Sequence, residues 1–120
     1  MPHAGSIRLF LCGDVMTGRG IDQVLLHPND PTLHEPRVGD ARTYVELAER
    51  VNGAIPRPTE FDYIWGDALA ELNRAGVDLR IINLETSITS SEDYWRHKEI
   101  HYRMHPRNID CITAARWTRI

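Results

Sequence analysis

Two acids stand where chemistry could be done. Asp14 follows the apolar run of RLFLCGDV, and Glu85 follows that of LRIINLE, roughly seventy positions later. Carboxylates at the ends of strands suit hard or borderline cations such as magnesium and manganese, and zinc or iron where histidines join them. In open α/β sheets, binding groups gather beyond the carboxyl ends of strands. Parallel neighbours lie about 4.8 Å apart, so Asp14 and Glu85 are within reach of one divalent metal ion. Plainer readings stand beside this one. Asp14 could cap the helix starting near Ile21, and Glu85 could be a solvated loop acid.

The same opening loop, Gly13-Asp14-Val15-Met16-Thr17-Gly18-Arg19-Gly20, nearly spells the phosphate-binding pattern G-x-x-x-x-G-K-[ST]. That reading makes the chain a nucleotide-binding protein, and it fails on chemistry. Gly20 has no hydroxyl for magnesium. Arg19 differs in geometry from the required Lys. Asp14 places a negative charge inside the anion cradle. Gly13 instead permits a sharp turn after the strand, and Gly18 and Gly20 permit close approach of a ligand.

The elements that must hold these residues follow from periodicity. Ile7–Cys12 and Leu79–Glu85 are apolar on both faces, as in strands buried within a parallel sheet. Between them lie three helices: Ile21–Leu26, stopped by Pro28; one carrying Ala41, Tyr44, Val45, Ala48 and Val51, with Asp40 as N-cap and Gly53 past its end; and about Ile64–Ala75, closed by Gly76. Residues 86–93 read as a polar loop. Ile100, Tyr102 and Met104 alternate with His101, Arg103 and His105, which predicts an edge strand. Pro106 opens a last helix with Ile109, Ile112 and Ala115 inward. Strands joined through helices give an α/β layer fold. A helix after a strand normally delivers the chain to another parallel strand, so the expectation is an incomplete domain with unpaired sheet edges prone to self-association.

The bulk numbers set limits. At 120 residues the chain is at most one domain, able to bury roughly two-thirds of its unfolded surface. A net charge of -3 gives no electrostatic argument for nucleic acid or an anionic membrane. Cys12 and Cys111 fit no zinc spacing or disulfide framework and read as reduced core residues. No signal peptide or membrane-spanning stretch is visible, so the expectation is a cytoplasmic protein.

The two strand-end motifs, LFLCGDVMTGRG and RIINLETSIT, resemble those of the CapA family, the bacterial poly-gamma-glutamate capsule biosynthesis proteins. GDALAELNRAGVDLRIINLE and HYRMHPRNIDCITAAR are also similar to the family's stretches, so the resemblance runs up to Arg116. Gly-Asp alone is weak; in order with Asn-Leu-Glu, each after a strand, it is fairly specific. The family is similar to calcineurin-like metallophosphoesterases, which implies the N-terminal part of an α/β/β/α sandwich for residues 1–120. It implies Asp14 and Glu85 as metal ligands with Asn83 beside them. It also implies Arg19 as a contact for an anionic substrate group, since its fork suits carboxylate or phosphate. The implied chemistry is hydrolysis of a phosphoester or of an amide in an acidic polymer. Family members continue into a strand ending Asn-Asn-His and further histidine motifs, which are absent here. A catalytic metal usually takes about three protein ligands. The expectation is therefore a truncated or frameshifted member. Its function stays open between a metal-dependent hydrolase-like protein and a non-catalytic remnant or binding module.

Other residues invite functional readings. His97, His101 and His105 have helical zinc-face spacing, but the strand alternation makes them exposed strand histidines. His27 and His34, in a Pro-rich loop, read as solvated. Trp65 sits on a helical stripe and reads as core, while Trp95 could line a sugar or peptide groove.

Overall fold

The computed structural model describes residues 5–118. Strand β1 (Leu9–Val15) leads through helix α1 (Arg19–Val24) and helix α2 (Arg42–Asn52) to a short 3-10 turn (Tyr63–Trp65). Helix α3 (Ala68–Ala75), strand β2 (Leu79–Leu84) and the two-residue strands β3 (Ser87–Ile88) and β4 (Arg103–Met104) follow. A second 3-10 turn (Pro106–Asn108) and helix α4 (Asp110–Thr113) close the order. The fold is mixed α/β. β1 and β2 pair in parallel, with Leu9 opposite Leu79 and Cys12 opposite Ile82. β3 and β4 form a second parallel pair. Among the described residues, no helix is long and apolar enough to cross a membrane.

Side chains alternate across a strand, and the two faces of the β1–β2 pair differ. On one face Phe10 stacks on Trp117 at 6.0 Å, and Trp65 meets Trp117 edge-on at 5.4 Å. The Trp65 indole N–H donates to the Cys111 carbonyl at 2.6 Å, tying the first 3-10 turn to α4 and bearing out Trp65 as a packing residue. Arg80 is buried on this side, its guanidinium donating to the Ala115 carbonyl at 2.9 Å and to Asn73 at 2.7 Å. The opposite face corrects the expectation of a strand buried on both sides. Ile7, Leu9 and Leu11 are 73%, 51% and 65% exposed.

Leu25, Met104, Cys111 and Ile112 form the buried core, with Phe61, Ile64, Leu84, Ile109 and Trp117 packed around it. Periodicity located α2 well, although its N-cap is Ala41 and Asp40 caps from one place earlier by accepting the Arg42 N–H at 2.8 Å. Val51, expected inward, is 83% exposed at the end of that helix. The expected Ile64–Ala75 helix is broken at Gly66, which takes φ +50 and separates the 3-10 turn from α3. Gly76 closes α3 in the left-handed conformation, as its sequence position predicts. The last helix is likewise split, with only Asp110–Thr113 helical. β3 lies inside the stretch expected to be a polar loop, and its bonds to the β4 side, Ser87 N–H to Tyr102 and Thr89 N–H to Met104, explain why.

Both cysteines are free, with Cys111 buried and Cys12 partly exposed. Burial, followed by the nearby Asp22 and Asp110 charges, pushes the Cys111 thiol up to about 12. A folded-state value raised above the ordinary 9.0 means that stability is full below pH 9 and falls as pH rises through the window from 9 to 12. At pH 8 a thiol-reactive dye is expected to modify Cys12 in the native protein and Cys111 only after denaturation. Equal labelling rates of the two would contradict this burial.

Candidate functional site

The site begins where β1 ends irregularly. Register runs Cys12 to Ile82 and then Val15 to Leu84, so Gly13 and Asp14 oppose the single residue Asn83 in a β-bulge. Asp14 takes φ +55, a left-handed conformation that Asp tolerates better than most residues. The bulge presents Asp14 to Asn83, whose amide donates to Asp14 Oδ1 at 3.1 Å. Past the bulge, the Glu85 N–H donates to the Val15 carbonyl at 2.8 Å. The ends of the two strands therefore carry Asp14, Asn83 and Glu85 at one rim. The Thr17 N–H donates to Thr86 Oγ1 at 3.0 Å, which ties the opening loop to the segment after β2.

Arg19 starts α1 with φ +49. Its Nε donates to Glu35 Oε1 at 2.6 Å in a pair that is mostly buried, at 17% and 7% side-chain exposure. The guanidinium lies over the Tyr44 ring at 5.0 Å and the Tyr102 ring at 4.6 Å. Tyr44 OH donates to the other Glu35 oxygen at 3.0 Å. Burial first, and then this bond to a carboxylate, raises the Tyr44 hydroxyl above its ordinary value. Arg19 thus already holds an anionic group, one belonging to its own chain. The two neighbouring glycines also correct the sequence reading, because they admit protein rather than ligand. A Cβ on Gly18 would lie 2.8 Å from the Arg103 carbonyl oxygen, and one on Gly20 would lie 3.1 Å from the Tyr44 Cβ.

Beneath this layer lies a buried polar clasp that periodicity gave no means of finding. Asp22, 1% exposed, accepts the Asn29 N–H at 2.8 Å on one oxygen. On the other it accepts the His105 N–H at 2.9 Å and the Asn108 amide at 2.8 Å. Asn108 also bonds both backbone groups of His27. The one signal available in sequence was an acid inside the apolar run of Ile21–Leu26. Asn29 extends the clasp by donating to the Thr89 carbonyl at 3.0 Å.

Glu85 lines a cavity of about 680 Å³ that also touches Thr86, His34, Tyr94, Trp95 and His101. His34, expected to be solvated, is exposed and also stacks on Tyr94 at 3.6 Å with nearly parallel planes. The zinc-face spacing of His97, His101 and His105 does not become a helix. His101 is half-buried and bonds the Trp95 carbonyl at 2.9 Å, while His105 Nδ1 accepts the Arg107 N–H at 3.1 Å. Among the described residues, no group of three or more His, Cys, Asp or Glu is placed to hold a metal ion. Asp14 and Glu85 are both exposed, and a hydrated hard cation needs only one or two carboxylates.

Two curated relatives from Mycobacterium tuberculosis, of strains CDC 1551 / Oshkosh and H37Rv, are each named a probable polyglutamine synthesis accessory protein. Each is 49% identical over 110 residues, covering 92% of this chain and 29% of the relative. The chain thus spans under a third of the length of these relatives. No solved structure matches it. The bacterial capsule synthesis protein family PGA_cap matches residues 8–120, from the start of the β1 run through the strand-end acids and α4. The chain belongs to this family, the CapA-type capsule biosynthesis proteins.

Proposed function

We propose that the chain serves poly-gamma-glutamate capsule synthesis as a CapA-type protein whose working groups are the strand-end residues. In this reading Asp14 and Glu85 hold a divalent cation, magnesium or manganese by their oxygen chemistry. Asn83 fixes the Asp14 carboxylate. When bound, such an ion polarises a scissile phosphoester or amide, or acidifies a bound water. In this reading the Nη edge of Arg19, whose Nε is paired with Glu35 and whose guanidinium lies over the Tyr44 and Tyr102 rings, meets an anionic group of the substrate. The observation that carries the reading is the bulge, which aims Asp14 at Asn83 beside Glu85. The relatives' printed name speaks of polyglutamine synthesis, and poly-gamma-glutamate is the polymer that the CapA resemblance implies.

The test is metal content and affinity. Wild type is expected to take up manganese; Asp14→Asn and Glu85→Gln should each lose it, and Asn83→Ala should weaken it about tenfold by freeing Asp14. Unchanged occupancy in both acid variants would end the metal reading. A manganese-dependent phosphatase assay then separates the enzyme from a second reading, a binding module without catalysis. That second reading is favoured by the lack of a third ligating side chain among the described residues. Turnover abolished by Asp14→Asn supports the enzyme, and metal uptake without turnover supports the binding module.

A further inference from the structure

The cavity beside Glu85 has a prepared aromatic rim. Trp95 lines it and is 75% exposed. Its backbone is held, because the Trp95 carbonyl oxygen accepts both the Lys98 N–H at 3.2 Å and the His101 ring at 2.9 Å. A carbonyl only accepts, so His101 Nε2 carries the proton. His34, Tyr94 and His101 cover one another's rings. The Trp95 indole meets no other ring among the described residues. It is a large flat apolar surface on a fixed support, left open at the mouth of a cavity.

The charge of the lining narrows the ligand. Glu85, Glu92 and Asp93 outnumber Lys98 and Arg103. Arg103 is already engaged, donating to the Ser91 carbonyl at 2.6 Å and the Asp30 carbonyl at 3.1 Å. With no cation held at Glu85, a polyanion entering here meets net repulsion. A flat apolar ring beside carboxylate acceptors and serine and threonine hydroxyls instead complements a neutral ligand with one apolar face and an edge of hydroxyl donors. A pyranose has that shape.

We propose that this cavity is a saccharide-binding subsite, in which the apolar face of a neutral sugar ring stacks on Trp95 and its hydroxyls donate to Glu92 and Asp93. The subsite goes beyond the metal and poly-gamma-glutamate reading and does not rest on it. Maltohexaose, cellohexaose and chitohexaose, each titrated into the 120-residue protein and followed by tryptophan emission and calorimetry, test it against poly-gamma-glutamate. Saturable binding of at least one hexasaccharide is expected, weakened about tenfold or more by Trp95→Ala and less by Trp95→Phe. The paired change Glu92→Gln with Asp93→Asn, which leaves the ring in place, is expected to weaken it comparably. Three results would overturn the subsite: no saturable binding at millimolar concentration, affinity unchanged in the Trp95 and acid variants, or Trp95-dependent binding of poly-gamma-glutamate in preference to every hexasaccharide. The metal-uptake result with Asp14→Asn is read separately, so either idea can fail alone.

Discussion

Asp22→Ala is expected to destabilise the protein by about 3–5 kcal/mol. The carboxylate accepts from the Asn29 and His105 backbone N–H groups and the Asn108 amide, all within 2.9 Å. Alanine leaves these buried donors facing a void. Water that fills the void recovers part of the loss, which keeps the figure below a simple sum. Asp22→Asn separates charge from shape. Its oxygen can keep the His105 and Asn108 bonds, but its amide then faces the Asn29 N–H, donor against donor. About half of the alanine effect is expected. Urea unfolding followed by tryptophan emission measures both, and an alanine loss under about 1 kcal/mol would show that the clasp contributes little.

Gly18→Ala is expected to cost about 2–3 kcal/mol, the upper range for an overpacked site. The added Cβ would meet Arg103 O at 2.8 Å, N at 3.1 Å and C at 3.4 Å. These are backbone atoms of β4, so no side-chain rotation relieves the clash. The strand must move, carrying Tyr102 away from the Arg19 guanidinium and Met104 out of the core. Gly13→Ala is the internal control. A methyl group added there has nothing within 4 Å of it, so a change within about 0.5 kcal/mol is expected. Equal melting shifts for the two variants would refute the close β4 approach as the reason for Gly18.

What could be read from sequence was whatever short-range pattern controls. The parallel pairing of the two apolar strands, the α2 stripe and the Gly76 terminus all follow from periodicity and from residue conformational preference. The strand-end placement of Asp14, Asn83 and Glu85 followed from the same pattern. What escaped was set by pairs of residues far apart in the chain. Asp22 and Asn108 are 86 positions apart, and neither has a local pattern that points to the other. Glu35 looked like one polar residue in a Pro-rich loop, yet it holds Arg19 across 16 positions. β3 has two residues, too few for any alternation to register, and of the strand expected around Ile100–Met104 only Arg103–Met104 forms. Gly18 and Gly20 were read as admitting a ligand, and only tertiary structure shows that the groups approaching them are β4 and α2.

The uncovered row of Ile7, Leu9 and Leu11 also bears on how the molecule responds to temperature and denaturant. Its radius of gyration is 16.3 Å, whereas a compact chain of this length has about 14 Å. Apolar surface already wet in the native state is not newly hydrated on unfolding. The heat-capacity increment and the urea m-value, both of which scale with newly hydrated area, are therefore expected to be small for the chain length, giving a broad, shallow stability curve and a gradual unfolding transition.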